Sequence, residues 1–184
     1  MKPISNWENV EEYKEFKKVE PGGYVIEIIS VKHNEASEWL NLEYDIVEGE
    51  FKDYYTERFK KWNYLRPTFY RSYKESCLIM FKGFIASVEK SNRNYEWHWD
   101  ENTLVGKKVG IILQEEDYVP SMGAHAGEVR TRLIVGKVVE AEVIRKGEYK
   151  VPEKRISKEA KELNERVNLS QTSSLDIADD DMPF

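Results

Sequence analysis

The chain has 184 residues, with 28 Lys and Arg against 34 Asp and Glu, which gives a net charge of −6. This length predicts one domain with short appendages, and the 40% hydrophobic content excludes a chain that is disordered throughout. The single Cys excludes an internal disulfide, and with only three His it does not supply a structural zinc site, so we expect a reducing, cytoplasmic location.

The first part of the chain predicts a short helix and two strands. Residues 6–18 place apolar side chains at helical spacing, and Pro21-Gly22-Gly23 ends this helix. Residues 24–32 are apolar and β-branched, which predicts a buried strand, whereas residues 39–48 alternate and predict a half-buried strand. Neither a signal peptide nor a run of ~20 apolar residues is present, so we expect no export and no contact with a membrane.

The next segment, residues 53–62, predicts a third strand. With a period of two, one face would carry Tyr54, Thr56, Arg58, Lys60 and Trp62. Because this mixture of rings and cations is hard to bury, we expect the face to be exposed.

The second half of the chain predicts a helix, a hairpin and a last helix. Apolar residues recur at helical spacing over residues 70–90. Two β-rich runs, 109–114 and 129–144, are joined by the loop 119–128 and predict a hairpin with a long tip. Residues 156–167 again have helical spacing.

Charge and aromatic residues are concentrated in different places. Residues 169–184 contain four Asp and no Lys or Arg, whereas residues 51–75 contain seven basic residues, three acidic residues and nine aromatic residues. Bases of a single strand stack on aromatic rings at about 1–3 kcal/mol each, while Lys and Arg follow the phosphates. Residues 51–75 therefore predict a surface for single-stranded nucleic acid.

Motifs for catalysis are missing from the sequence. It has no phosphate-binding loop of the GxxxxGK[ST] type, no GxGxxG, no HExxH and no GxSxG. We therefore predict no enzyme activity, no catalytic residue, no metal site and no cofactor. Two pairs of carboxylates have i, i+2 spacing: Glu43 with Asp45, and Glu140 with Glu142. Such pairs can bind a metal ion, which leaves a metal-dependent nuclease as an alternative, although most of them simply lie on the solvent-exposed face of a sheet.

The printed sequence closes with Asp179, Asp180, Asp181, Met182, Pro183 and Phe184. This order resembles the tip of bacterial and phage single-stranded-DNA-binding proteins, which end in several Asp, an apolar residue, Pro and Phe. The resemblance implies that the tip binds replication and recombination proteins. The ring of Phe184 would enter an apolar pocket while its carboxylate meets a Lys or Arg. A solubilising acidic tail is the alternative, but it does not explain the order Met-Pro-Phe.

The body of the chain, residues 22–152, resembles phage-encoded single-stranded-DNA-binding proteins. The similarity lies in Gly23-Tyr24-Val25-Ile26, the run from Leu42 to Glu50, Lys82-Gly83-Phe84, the run from Ser91 to Trp97, and Gly106-Lys107-Lys108-Val109-Gly110. It implies a mostly β fold with α-helices, namely a five-stranded oligonucleotide-binding (OB) barrel with a helix between strands three and four. An N-terminal extension and a short linker depart from the standard bacterial pattern.

The resemblance also implies a division of the chain and a set of contacts. The segments are an N-terminal extension (1–21), an OB domain (22–152), a C-terminal helix (153–168) and a flexible acidic tail that binds partners (169–184). In OB folds the face of strands two and three, with the loops joining strands one to two and four to five, grips the nucleic acid. The predicted nucleic-acid-binding residues are Trp39, Tyr54, Arg58, Lys60, Trp62, Tyr64, Arg66, Tyr70, Arg71, Arg130 and Arg132.

The function implied is that of a protein that coats single-stranded DNA during phage replication or recombination. One alternative is a recombination accessory protein that anneals or loads strands, and another is the nuclease above. A third is a protein-only adaptor whose aromatic segment contacts a partner. The sequence leaves the oligomeric state open, with a homo-oligomer among the choices.

Overall fold

The fold is known from a computed structural model that describes residues 3, 5, 7–9 and 17–173, with side chains for residues 3, 5, 8, 9 and 17–167. Its strands are β1 (Gly22–Asn34), β2 (Trp39–Ile46), β3 (Thr68–Ser72), β4 (Lys108–Tyr118), β5 (Arg130–Val139) and β6 (Arg155–Ile156). Its α-helices are α1 (Tyr54–Trp62), α2 (Leu78–Ser91), α3 (Ala141–Arg145) and α4 (Lys158–Ser173). Short 3₁₀ helices cover Trp7–Asn9, Glu35–Ser37, Glu75–Cys77 and Glu101–Leu104.

The strands form one mostly antiparallel sheet in the order β3-β2-β1-β4-β5, and β6 pairs in parallel with β4. Helix α2 follows β3 and precedes β4, as predicted, and β4 and β5 form the predicted hairpin. Among the described strands β3 and β5 are not paired, so the sheet is open and the predicted barrel closure is not seen.

The core lies between the sheet and α2. Ile26 of β1, Leu42 of β2 and Ile111 of β4 are fully buried, and they pack in one cluster with Phe84 and Val88 of α2. Each such side chain stabilises the fold by about 1.5–3 kcal/mol. Because α2 covers this face of the sheet, the opposite face of β2 and β3 is where polar and aromatic side chains can meet solvent.

The predicted strand over residues 53–62 is wrong, because this segment forms helix α1. The carboxylate of Asp45, at the end of β2 and only 2% exposed, accepts the backbone N–H groups of Tyr55 and Thr56 at 3.0 and 2.7 Å. Those N–H groups belong to the first turn, which has no intrahelical acceptor for them. Lys60 and Lys61 lie in the last turn, where cations stabilise the negative end of the helix dipole.

Other element bounds also differ from the predictions. The helix predicted over residues 70–90 begins only at Leu78, because Thr68–Ser72 pair with β2 as strand β3. The strand predicted to continue through residue 144 ends at Val139 and is followed by α3, while α4 continues to Ser173. Most of the predicted helix over residues 6–18 lies outside the described residues.

Replacing Asp45 by Asn is expected to lower the free energy of unfolding by about 1–2 kcal/mol, because a charged acceptor for three backbone N–H groups becomes a neutral amide. Asp53→Asn is the matched control, since Asp53 precedes the same helix but makes no side-chain capping bond. Its cost should stay within about 0.5 kcal/mol. Urea unfolding measures both values, and equal losses would contradict the capping role of Asp45.

Candidate functional site

The face of the sheet opposite α2 carries a pair of aromatic rings, of which one is exposed and the other half-buried. Along β2 the side chains of Leu40 and Leu42 are buried in the core, so Trp39 points to the other face. Asn41 of β2 pairs with Tyr70 of β3, which therefore also lies on that other face. The rings of Trp39 and Tyr70 meet edge to face, with centroids 5.0 Å apart, and Tyr70 is 58% exposed.

A cation from β1 extends this face. Lys32 pairs with Asn41, which in turn pairs with Tyr70, so the three side chains form a row across β1, β2 and β3. Lys32 is exposed and makes no ion pair within the described residues. The Asn41 Oδ1 atom is buried without a hydrogen-bond partner in the same part of the chain. The face therefore combines rings, an available positive charge and an unsatisfied acceptor.

Sequence reasoning missed Lys32 and Asn41 as site residues, and a β-bulge in β1 explains why Lys32 was missed. In β1 the register against β2 shifts between Ile28 and Ser30. Ile28 faces the core, but after the bulge the even-numbered positions, Lys32 among them, face the other way. Simple alternation along β1 would have placed Lys32 on the core side, so no signal in the sequence identified it.

Helix α1 and the turn after it form a second cationic and aromatic cluster. Arg58 lies with its guanidinium carbon 4.8 Å from the ring centre of Tyr64, and Lys60 is exposed. Trp62 and Tyr64 lie 6.2 Å apart between ring centroids, and the Lys61 ammonium lies 5.4 Å from the Trp62 ring centre. Three predicted residues (Arg58, Trp62 and Tyr64) are therefore brought together by a helix and the turn after it, not by a strand. Lys60 lies two positions from both Arg58 and Trp62, and so on another face of α1.

Three of the other predicted residues have structural contacts. Tyr54 is buried at the start of α1, so its ring is not available for stacking on a base. Arg71 lies on the core face of β3, 4.8 Å from the ring centre of Phe69, and burial lowers the pKa of its guanidinium to about 10. Arg66 donates to the carboxylate of Glu43 at 3.0 Å. The side chains of Tyr54, Arg66 and Arg71 are therefore engaged in contacts within the protein.

The hairpin of β4 and β5 carries the last two predicted residues. Arg130 is exposed at the start of β5. Arg132 is engaged, because its Nε and Nη2 atoms donate to one carboxylate oxygen of buried Glu116 at 2.8 and 2.6 Å. Its guanidinium also lies 4.2 Å from the ring centre of Tyr118. Of this pair, Arg130 is the more available to a ligand.

The carboxylate pairs considered for a metal ion are occupied by other contacts. Asp45 caps α1, and Glu43 pairs with Arg66. Glu140 accepts from Lys90, and Glu142 lies on α3 beside Arg145. Within the described residues no group of three or more His, Cys, Asp or Glu side chains is arranged to hold a metal ion.

Neither the family models nor the curated proteins compared with this chain gave a match. No helix among the described residues has both the length and the apolar character needed to cross a membrane. The segment from Asp179 to Phe184 lies outside the described residues. Any functional conclusion therefore depends on the two clusters above and on the sequence patterns.

Replacing Arg66 by Gln is expected to lower the free energy of unfolding by about 1–2 kcal/mol, because half-buried Glu43 loses its charged donor. The Arg66 guanidinium also lies 4.6 Å from the ring centre of Phe59 in α1. The matched control is Lys60→Gln, which removes an exposed cation from α1 and should cost no more than about 0.5 kcal/mol. Thermal or urea unfolding distinguishes the two, and a neutral Arg66→Gln would contradict the structural role of Arg66.

Proposed function

We propose that the chain binds and coats single-stranded DNA without catalysing a reaction on it. The observation that carries this proposal is the edge-to-face pair of half-buried Trp39 and exposed Tyr70 beside Lys32. Rings on an open sheet face accept unpaired bases by stacking, which a base-paired duplex does not allow, because its bases are already stacked on each other. The neighbouring cation compensates the charge of a phosphate.

We further propose that the fold is of the OB type. The strand order β3-β2-β1-β4-β5, with α2 between β3 and β4, supports this proposal. An OB fold is a five-stranded, partly open barrel that binds oligonucleotides on the face of strands two and three. Trp39 and Tyr70 belong to the corresponding strands, β2 and β3. Arg130, at the start of β5 next to the long loop, adds a cation near the strand-four to strand-five loop.

The partners of the protein are proposed from sequence. The order Asp-Asp-Asp-Met-Pro-Phe over residues 179–184 supports a segment that recruits replication or recombination proteins. Three Asp side chains attract a basic surface, and Phe184 supplies an apolar anchor. The resemblance to phage proteins supports a role on DNA exposed during phage replication or recombination, in the cytoplasm of the host.

Binding of poly-dT is expected to quench the fluorescence of the chain's Trp residues in a saturable titration, because Trp39 lies on the proposed contact face. With about five phosphate contacts, affinity should fall roughly a hundredfold between about 50 and 200 mM salt. Duplex DNA should compete poorly. A titration without saturable quenching, or with equal affinity for duplex and single strand, would overturn the proposed function.

Replacing Tyr70 by Ala is expected to weaken binding of oligo-dT by about tenfold, because a ring that is 58% exposed no longer stacks on a base. Tyr70→Phe keeps the ring and should bind within about twofold of the unchanged protein, so it separates stacking from the hydroxyl group. Fluorescence anisotropy with a labelled oligonucleotide measures both. If Tyr70→Ala binds like the unchanged protein, the sheet face is not the contact surface.

A further inference from the structure

A small cavity opens beside α1, and neither Trp39 nor Tyr70 lines it. It has a volume of about 250 Å³ and is lined by Tyr55, Arg58, Tyr64, Leu65 and Pro67. Four of these five residues have aromatic or aliphatic side chains, and Leu65 is 88% exposed at the surface. The cavity is therefore a small apolar space with a single guanidinium among its walls.

The chain reversal after α1 builds this cavity. Asn63 has a φ of 55°, in the left-handed region, and its N–H bonds to the carbonyl of Phe59, so the chain turns back at the end of the helix. Residues 64–67 then run back beside α1, which brings Tyr64 over Arg58. Arg66 fixes this return through its bonds to Glu43 and Thr56. The two sides of the cavity, α1 and residues 64–67, are therefore positioned by contacts within the protein and not by a ligand.

The guanidinium of Arg58 is held in one orientation, but one of its N–H donors has no acceptor among the described residues. Its guanidinium carbon lies 5.3 Å from the ring centre of Tyr54 and 4.8 Å from that of Tyr64, and Nη1 donates to the Tyr54 hydroxyl at 3.0 Å. The Nε–H, which shares an edge of the guanidinium with Nη2, is buried and has no hydrogen-bond partner in the described part of the chain. A buried donor without a partner destabilises the fold, and a ligand acceptor that bonds to it would remove this penalty.

The chemistry of the walls restricts what can bind there. A phosphate would be poorly solvated among tyrosine, leucine and proline side chains, whereas a planar base suits them. An arginine edge donates two parallel N–H groups and so requires two adjacent acceptors. Two bases of an unpaired strand have two adjacent acceptors on one edge: guanine, with O6 and N7, and cytosine, with N3 and O2. Guanine suits the cavity better, because its two fused rings cover more of the apolar walls than the single ring of cytosine.

We propose that this cavity is a subsite for one guanine base of the bound strand, and that the Nε and Nη2 edge of Arg58, covered at Nε in the unbound protein, becomes uncovered on binding and donates to O6 and N7. The proposal rests on the proposed function and extends it, because it adds a base preference to a surface that otherwise stacks any base. Tyr64 and Leu65 enclose the base, and Tyr54 holds the guanidinium in place.

The test compares three labelled oligonucleotides of equal length by fluorescence anisotropy: all thymine, one central guanine, and one central 7-deazaguanine, which lacks the N7 acceptor. The guanine strand should bind roughly tenfold more tightly than the thymine strand, and 7-deazaguanine should lose most of this gain. Arg58→Lys, which cannot form the two parallel bonds, should bring the affinity for the guanine strand down to that for the thymine strand, so the ratio of the two affinities falls to about one whatever happens to thymine binding itself. Lys60→Gln is the matched control and should weaken all three strands equally.

The outcomes separate the two proposals. Equal binding of the three strands by the unchanged protein would overturn the guanine subsite and leave single-strand binding intact. If the unchanged protein binds none of the three strands, the proposed function itself is overturned. A preference for guanine that survives in Arg58→Lys would show that another side chain reads the base. If Arg58→Lys melts at a markedly lower temperature, the 7-deazaguanine strand with the unchanged protein decides the question, because it needs no variant.

Discussion

The buried carboxylate of Asp45 determines where the cationic and aromatic side chains after β2 are placed. By accepting the N–H groups of Tyr55 and Thr56, it begins α1 at the end of β2 and sets the direction of the helix. An uncompensated carboxylate at this depth would be strongly unfavourable, so the helix and the carboxylate depend on each other. The position of Arg58 and the chain reversal at Asn63 follow from this one interaction.

A second constraint, the bulge in β1, determines which side chains lie beside Trp39 and Tyr70 on the sheet face. The extra residue in β1 moves Lys32 to the same face as Asn41 and Tyr70, and it does so without disturbing the core contacts of Ile26 and Ile28. Bulges bend a strand and redirect side chains, which is why they recur beside functional sites. One inserted position thus moves the core-facing side of β1 from the even-numbered residues Ile26 and Ile28 to Val31, and it leaves Lys32 on the opposite face.

The sequence predicted the strands β1 and β2, helix α2 and the β4–β5 hairpin, because each has a clear hydrophobic period. It failed at α1 for a physical reason: Tyr54, Arg58 and Trp62 are spaced by four residues, a spacing that lies on one face of a strand and on one face of a helix. The choice was made by Asp45, a tertiary contact that no local pattern contains. Trp39 and Tyr70 were predicted as site residues, but the bulge prevented the prediction of Lys32.

The two clusters suit different kinds of recognition. Under the proposed function, Trp39 and Tyr70 on the sheet face would stack on any base, and the exposed Lys32 would add attraction without orientation, which suits a protein that coats strands of any sequence. At α1 the guanidinium of Arg58 is fixed between two tyrosine rings, so its donors have a defined direction and little entropy left to lose on binding. Fixed donors discriminate between base edges, whereas mobile cations do not. A chain with both surfaces can bind everywhere along a strand and still prefer particular positions on it.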